Sequence, residues 1–309
     1  MEITVVGAGV IGLTTALVLE EQGHTVRIVA AGTGAATTSA VAGAVWFPYK
    51  AGPPARVAAW AVHTRRWLEE LARTAPEAGV DVLTGYEITR DDSWPWWGAG
   101  VSELERAPAP VPGAPMAWKF TAPRVQPSLF LPWLESRLRA RIERRTVTDL
   151  AAEPGDRVIN CTGIAARELV ADDAMYPLLG QLVIAACGNA DLTASITDDR
   201  DPDSFFYIIP RRDELVLGGC SLPVPPGATP ELDRRIRDRI LAHAARLQIP
   251  IGEVRGEKVG LRPYRLEVRL EREGRVIHNY GHGGAGFTLC HGCAEDVAAL
   301  VGQPTMPPR

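Results

Sequence analysis

The sequence lacks any long apolar run. Its hydrophobic stretches are far shorter than the ~20 residues that a transmembrane helix needs, so we expect no membrane contact. Met1 leads directly into a strand-like stretch, without the basic and apolar regions of a signal peptide. We therefore expect a cytoplasmic protein.

The sequence also has few cysteines and a small net charge. Five irregularly spaced cysteines among 309 residues do not indicate a disulfide framework. Cys290 and Cys293 form one C-x-x-C pair, but a structural zinc site needs further ligands, so we predict no metal site. The formal net charge of −4 gives no electrostatic reason to expect nucleic-acid binding. The length fits one large or two medium domains.

The first 30 residues, in contrast, carry a strong pattern. Residues 2–6 are apolar and β-branched, which indicates a buried strand, and residues 7–12 read Gly-Ala-Gly-Val-Ile-Gly. A helical pattern and a second strand at 25–30 follow. Because this G-x-G-x-x-G motif lies inside a βαβ unit, it predicts a dinucleotide site rather than a structural turn.

The three glycines of this motif have different tasks in such a site. Gly7 permits the tight turn, Gly9 lets a pyrophosphate approach the backbone, and Gly12 packs the helix on the strand. The pyrophosphate would lie at the helix N-terminus, where free N–H groups and the helix dipole favour anions. The motif alone does not distinguish FAD from NAD.

The acid that usually holds a ribose hydroxyl after the second strand is missing. Ala31 stands in its place, and no basic residue there favours a 2′-phosphate. Thr37, Thr38 and Ser39 follow, and they either bond the cofactor or form a plain turn. We expect Ala31→Asp to strengthen cofactor binding, because a carboxylate there can accept from the ribose.

Two further stretches are candidates for ligand contact. Residues 42–49 are small and apolar with an aromatic end, and they form either a buried strand or backbone that passes close to a planar ligand. Residues 281–286, Gly-His-Gly-Gly-Ala-Gly, precede a predicted helix whose N-terminus can stabilise negative charge on a reduced flavin. His282 lies in this loop, and a histidine in such a place more often has a structural role than the role of an acid or base.

The remaining chain alternates between predicted helices and strands. Hydrophobic spacing predicts helices at 56–72, 129–144, 230–247 and 288–301, and strands at 157–163 (ending in a glycine turn), 182–186, 204–210, 214–218 and 276–280. A turn is predicted at Asn189. The prolines between 91 and 127 predict short strands and long connections. Residues 260–265, Gly-Leu-Arg-Pro-Tyr-Arg, predict a loop that carries either solvated arginines or an arginine for a carboxylate.

Several of these stretches resemble the FAD-dependent D-amino-acid oxidases, in the same order from end to end. They are residues 7–16, 41–49, 160–163, 207–210, 260–265 and 278–288. The Gly-Leu-Arg-Pro segment and the segment from His278 to Gly286 are the specific parts. The N-terminal glycine motif is shared far more widely.

The resemblance implies an α/β fold in which two domains are interleaved. One is a Rossmann-like FAD-binding domain made of residues 1–52, 128–175 and 262–309. The other is a substrate domain with a mostly antiparallel sheet, made of residues 53–127 and 176–261.

The resemblance also implies the reaction. D-Amino acids would be oxidised to 2-oxo acids and ammonia by hydride transfer from Cα to flavin N5, and O2 would re-oxidise the flavin to give hydrogen peroxide. Arg262 and Tyr207 would hold the substrate carboxylate, and the Gly284 carbonyl would accept from the amine. Three points of attachment orient the Cα–H, so we nominate no catalytic histidine.

Two sets of lining residues follow from the same resemblance. Non-covalent FAD would contact Gly7, Ala8, Gly9, Val10, Ile11, Gly12, Thr37, Thr38, Ser39, Gly43, Ala44, Gly163, Gly283, Gly286, Phe287 and Thr288. The substrate side chain would contact Val45, Phe47, Tyr49 and Ile209. Because burying an unpaired carboxylate in an apolar pocket is costly, we expect neutral, apolar substrates.

The sequence departs from the family at Ala31 and between residues 198 and 206. The second stretch is short, and the tyrosine of the animal enzymes' active-site lid has no clear counterpart near Asp203 or Ser204. D-Aspartate oxidase remains an alternative, with Arg200 or Arg211 as the extra cation, as do glycine or sarcosine oxidase, a flavin dehydrogenase with another acceptor, and a non-catalytic flavin protein. The expected partners are a D-amino acid and O2, and a homo-oligomer is compatible with the sequence.

Overall fold

A computed structural model describes residues 1–90, 93–101, 103–114, 116–188, 192–201 and 205–303 of the chain. The helices are α1 (Val10–Glu21), α2 (Pro54–Thr74), α3 (Pro127–Arg137), α4 (Ala166–Leu169), α5 (Arg234–Arg246) and α6 (Gly286–Gly302). The strands are β1 (Glu2–Val6), β2 (Thr25–Ala30), β3 (Val80–Ile88), β4 (Glu105–Pro108), β5 (Met116–Val125), β6 (Ile142–Arg144), β7 (Arg157–Asn160), β8 (Tyr176–Ala185), β9 (Ser195–Asp198), β10 (Phe206–Pro210), β11 (Leu215–Gly218), β12 (Leu222–Pro223), β13 (Val254–Glu273) and β14 (Val276–His282).

These strands form one extended sheet with two different halves. Its order is β4-β5-β3-β9-β10-β11-β8-β13-β14-β7-β1-β2-β6, with β12 on β8. The strands β14, β7, β1, β2 and β6 run parallel to one another, as in a Rossmann-like unit. Most pairs in the other half are antiparallel. This confirms the predicted α/β class.

The main core lies between the parallel half and its helices. Helix α1 is buried on nearly every side, because it is packed between the sheet and α6. Asn279 on β14 donates to the Thr15 hydroxyl of α1 at 3.2 Å. Trp60 on α2 donates to Asp296 on α6 at 2.7 Å. The division of the chain into two domains stays a prediction.

The segment predicted as a loop at 260–265 lies inside β13, so that prediction was wrong. Residues 254–264 pair with β8, and residues 269–273 pair with β14, with an irregularity between them. Pro263 lies opposite Pro177, so two residues without an N–H group meet where no ladder bond is lost. The long strand therefore joins the two halves of the sheet and holds Arg262 on a rigid element.

Two predicted helices were too long. The helix expected at 129–144 ends at Arg137, because the buried Glu20 carboxylate accepts from the backbone N–H groups of Arg139 and Ala140 at 2.8 and 2.7 Å and turns the chain toward β6. The helix expected from 230 begins at Arg234, where Asp233 accepts from the Arg235 N–H at 2.8 Å as an N-cap. The strand expected at 182–186 begins well before that, as β8 (Tyr176–Ala185), whereas the other boundaries shift by about three residues or fewer.

Some expectations fall on residues outside the described ranges, namely the turn at Asn189 and the lid candidates Asp203 and Ser204. None of the described helices is both long and apolar enough to cross a membrane.

Candidate active site

A continuous cavity of about 620 Å³ runs across the carboxyl ends of the parallel strands. One end is lined by residues 30–32 and 145–148, which follow β2 and β6. The other end is lined by residues of the antiparallel half, including Tyr207 on β10 and Arg262 on β13. The cavity therefore has room for a long ligand and, at its far end, for a small molecule.

The first glycine turn is built for close packing. Gly7 has φ +116°, and a Cβ on Gly12 would lie 2.0 Å from the Gly7 carbonyl oxygen, so helix α1 starts directly against the end of β1. The Ser39 hydroxyl accepts from the Val10 N–H at 3.0 Å, and a Cβ on Gly9 would lie 3.1 Å from that hydroxyl. Gly7 to Ile11 line the cavity, as do Thr37, Thr38 and Ser39, whereas Gly12 lies behind them.

The second glycine turn brings α6 to the same cavity. Gly283 has φ +56°, and a Cβ there would lie 1.9 Å from the Lys50 carbonyl oxygen, so only glycine fits. Gly163, Gly283, Gly284, Gly286 and Phe287 line the cavity. Thr288 lies outside the lining; its hydroxyl donates to the Phe47 carbonyl at 3.0 Å and accepts from the Phe47 N–H at 3.1 Å.

Residues 42–49 do not form a regular strand. Only Val45 makes a bridge, to Arg124, and Ala44 has a left-handed φ of +58°. Gly43, Ala44, Val45, Phe47 and Tyr49 all line the cavity. The sequence left open a buried strand or backbone close to a ligand. The structure has backbone that runs along the cavity wall, in agreement with the second interpretation.

The guanidinium of Arg262 lies at the far end of the cavity. Its Nη1 donates to the Cys220 carbonyl at 2.9 Å, which fixes the group. It lies directly over Gly180, where a Cβ would be 2.4 Å from Nη1 and 2.6 Å from Cζ. A Cβ on Gly284 would be 3.6 Å from Arg262 Cδ, so the second glycine turn faces this side chain.

Tyr207 lies beside Arg262, and its side chain likewise lies over a glycine. Its ring covers Gly218, where a Cβ would be 2.2 Å from Tyr207 Cζ. Burial raises the pKa of Tyr207, and the Arg262 charge opposes this in part. Burial likewise raises the pKa of Tyr49, whose ring centroid is 6.0 Å from Arg262 Cζ. Both phenols therefore keep their protons at neutral pH and can donate to an anion.

The wall next to this end is apolar and aromatic. Val45 and Ile209 pack in one cluster with Leu182 and Tyr207. Phe205 also lines the cavity and stacks on Tyr49, with ring centroids 4.7 Å apart and an interplanar angle of 11°. The sequence alone did not indicate Phe205, because nothing in the local pattern distinguishes it from Phe206, which is buried on the other face of the sheet.

Two buried polar atoms lie in the wall between the glycine turns. Asn279 Oδ1 and His282 Nε2 have no hydrogen-bond partner among the described residues, and both residues line the cavity. Burial lowers the pKa of His282 to about 3, so this ring is neutral at physiological pH. Unpaired buried polar groups are costly, so a hydrogen bond from either atom to a polar ligand in the cavity would be favourable.

The residues present fit FAD. The cavity offers the N-termini of α1 and α6, where neither N-cap residue caps its helix with a side chain and Ser39 takes up only the Val10 N–H, together with close backbone approach at Gly9. It extends over the ends of β1, β2 and β7, where a dinucleotide lies in this kind of fold. A flavin at the other end would lie beside the unpaired atoms of Asn279 and His282.

The end of the cavity near Ala31, where the adenosine of a bound FAD would lie, contains residues that the sequence alone did not indicate. Arg145 to Thr148, Thr162, Glu168 and Leu169 line the cavity together with Ala31, and the Arg145 N–H donates to the Ala30 carbonyl at 3.1 Å. Arg145 follows β6, and Glu168 lies on the short helix α4 after β7. These elements meet only through the parallel pairing of β6, β2, β1 and β7, so no single stretch of sequence indicates the group.

Comparison with known proteins places this geometry in a family context. A family model described as FAD dependent oxidoreductase matches residues 2–300. D-Amino-acid oxidase from Rubrobacter xylanophilus is 39% identical over 96% of this chain and 95% of its own length. D-Amino-acid oxidase from Streptomyces coelicolor is 40% identical over 97% and 96%, respectively. The solved structure of glycine oxidase from Bacillus cereus is similar in fold, with a TM-score of 0.80 at 19% identity, over 97% of this chain and 96% of that one.

Proposed function

We propose that this chain, which belongs to the FAD dependent oxidoreductase family, is a D-amino-acid oxidase that prefers neutral, apolar substrates. Membership in this family confirms the resemblance seen in the sequence. It also confirms FAD as the cofactor. The observation that carries the substrate class is the Arg262–Tyr207 pair opposite the second glycine turn. An arginine fork and a protonated phenol bind a carboxylate, which every α-amino acid carries.

The chain's own residues would bind and orient the substrate. Arg262 and Tyr207 would hold the carboxylate, and the Gly284 carbonyl would accept from the amine. Tyr49, Phe205 and Ile209 would exclude water from the side-chain end. When bound, FAD supplies the acceptor for the hydride from Cα, and O2 returns it to the oxidised state. His282, neutral and buried, would move no proton in this scheme.

The direct test is peroxide release in air. Purified protein should form hydrogen peroxide and a 2-oxo acid with D-alanine or D-methionine, and it should do so far more slowly with the L-enantiomers. Reduction of the flavin without peroxide would instead support a dehydrogenase with another acceptor. No reduction by any amino acid would support a non-catalytic flavin protein.

Neutral D-amino acids should be favoured over acidic ones. The two cations considered for an acidic substrate are both paired: Arg200 with Asp198 at 2.8 Å, and Arg211 with Glu214 at 3.1 Å. Burying even a neutral polar group without a partner costs about 1–3 kcal/mol, and an unpaired carboxylate costs more, so kcat/KM for D-aspartate should be at least roughly tenfold to a hundredfold below that for D-methionine. Equal initial rates at low concentration would contradict the preference, and Arg211→Met would then identify the cation.

FAD should be bound without a covalent link. Cys161, which lines the cavity, and Cys290 are both buried, and burial raises the pKa of each thiol to about 12, so neither is a reactive thiolate. Acid precipitation should leave the yellow colour in the supernatant. A yellow pellet after washing would show a covalent flavin and overturn this prediction.

A further inference from the structure

The adenosine end of the cavity contains an acid that the Rossmann-like pattern does not place there. The usual acid after β2 is replaced by Ala31, which lines the cavity. Among the described residues that line the cavity, Glu168 is the single carboxylate. It makes no ion pair or side-chain hydrogen bond with any other described residue, and it is exposed. Its two oxygens are therefore available as acceptors.

Glu168 and Ala31 reach the same crevice from opposite sides. Strand β1 lies between β2 and β7, and all three run parallel, so their carboxyl ends meet at one edge of the sheet. Ala31 follows β2 directly. Glu168 follows β7 after the turn at Thr162 and Gly163, and its neighbour Leu169 packs in one cluster with Val6 at the end of β1.

The second charged residue at this end is already neutralised. Arg145 donates to Glu143 at 2.7 Å and to both oxygens of Glu153 at 2.8 and 2.6 Å. Its charge is therefore matched by carboxylates, and it does not offer an unpaired cation to a 2′-phosphate or to Glu168. The Glu168 carboxylate is the acceptor that remains for a donor on the ligand.

We propose that Glu168 replaces the missing acid of β2 and accepts a hydrogen bond from the ribose of the FAD adenosine. The inference rests on the FAD cofactor of the proposed function and is independent of the substrate. A ribose hydroxyl is the donor that an acid holds in this crevice of related folds. Here the acceptor would come from the helix after β7 instead of from the end of β2.

The test compares Glu168→Gln with the wild type in full-length protein. FAD released on dilution of the holoenzyme is measured by its fluorescence, and the stripped protein is titrated with FAD and with FMN, which lacks the adenosine. The Kd for FAD should rise about tenfold, since a bond to a charged group is lost. The Kd for FMN should not change. Glu77→Gln, at an exposed acid outside the cavity, should change neither value.

A rescue variant makes the test specific. Ala31→Asp in the Glu168→Gln background should restore most of the FAD affinity, because it returns an acid to the usual position. The gain expected for Ala31→Asp in the wild type should be smaller, since Glu168 already serves the ribose. An unchanged Kd for FAD in Glu168→Gln, or an equal loss for FMN, would overturn the proposal. Oxidase activity with D-methionine at saturating FAD tests the proposed function separately.

Discussion

Replacing Arg262 with alanine should lower kcat/KM by two to four orders of magnitude for every D-amino acid. The guanidinium lines the substrate end of the cavity beside Tyr207, and Arg145, the other arginine in the described lining, lies at the opposite end. Removing one partner of a buried ion pair typically costs about 3–5 kcal/mol, and each 1.36 kcal/mol is about tenfold in rate. Initial rates with D-alanine and D-methionine would measure the loss.

Two variants serve as controls for Arg262→Ala. Arg262→Lys keeps the charge but loses the planar fork, so its kcat/KM should lie between those of wild type and alanine variant. Arg265→Ala should stay within a few-fold of wild type, because Arg265 donates to Asp172 at 3.0 Å and lies outside the cavity lining. The visible spectrum of bound FAD should be unchanged in all three.

A contrary result would be easy to recognise. Nearly full activity of Arg262→Ala together with inactivity of Arg265→Ala would show that the carboxylate binder had been assigned to the wrong arginine. A loss confined to one substrate would instead mean that Arg262 contacts the side chain, since a carboxylate binder acts on all α-amino acids alike.

The parts of the fold that the sequence predicts well depend on local patterns. The N-terminal βαβ unit follows from the strand and helix periodicity on either side of Gly7 and Gly12, and this periodicity is visible in neighbouring residues alone. The end of the helix predicted at 129–144 was wrong, because it depends on Glu20, more than 100 residues earlier. Such long-range hydrogen bonds cannot be recognised in a sequence window of about a dozen residues.

The difference between local patterns and long-range contacts also explains which parts of the site could be predicted. Arg262 was expected in a loop because glycine and proline surround it, yet those residues fit a strand that pairs with β8. Phe205, Glu168 and Gly180 were missed, since their importance depends on which strands become neighbours. Gly180 in particular is a glycine because the Arg262 side chain crosses it, and only the paired sheet reveals this crossing.

That crossing predicts a large effect for Gly180→Ala. The new Cβ would lie 2.4 Å from Arg262 Nη1, 2.6 Å from Cζ and 2.7 Å from Nη2. The clash is with the end of a flexible side chain, so the sheet can fold while the guanidinium moves away from its place. A misplacement of about 1 Å can cost on the order of 10²-fold in rate, so kcat/KM should fall by roughly two orders of magnitude.

The matched control is Gly256→Ala, on the strand that pairs with β8. A Cβ at that position would meet no described atom within 4 Å, so the variant should keep wild-type kcat/KM. Thermal unfolding and the FAD spectrum should be close to wild type in both variants. If Gly180→Ala keeps full activity while remaining folded, the guanidinium does not act from its place above Gly180. If instead its KM for D-methionine rises while FAD stays bound, the position of Arg262 above Gly180 is what sets carboxylate binding.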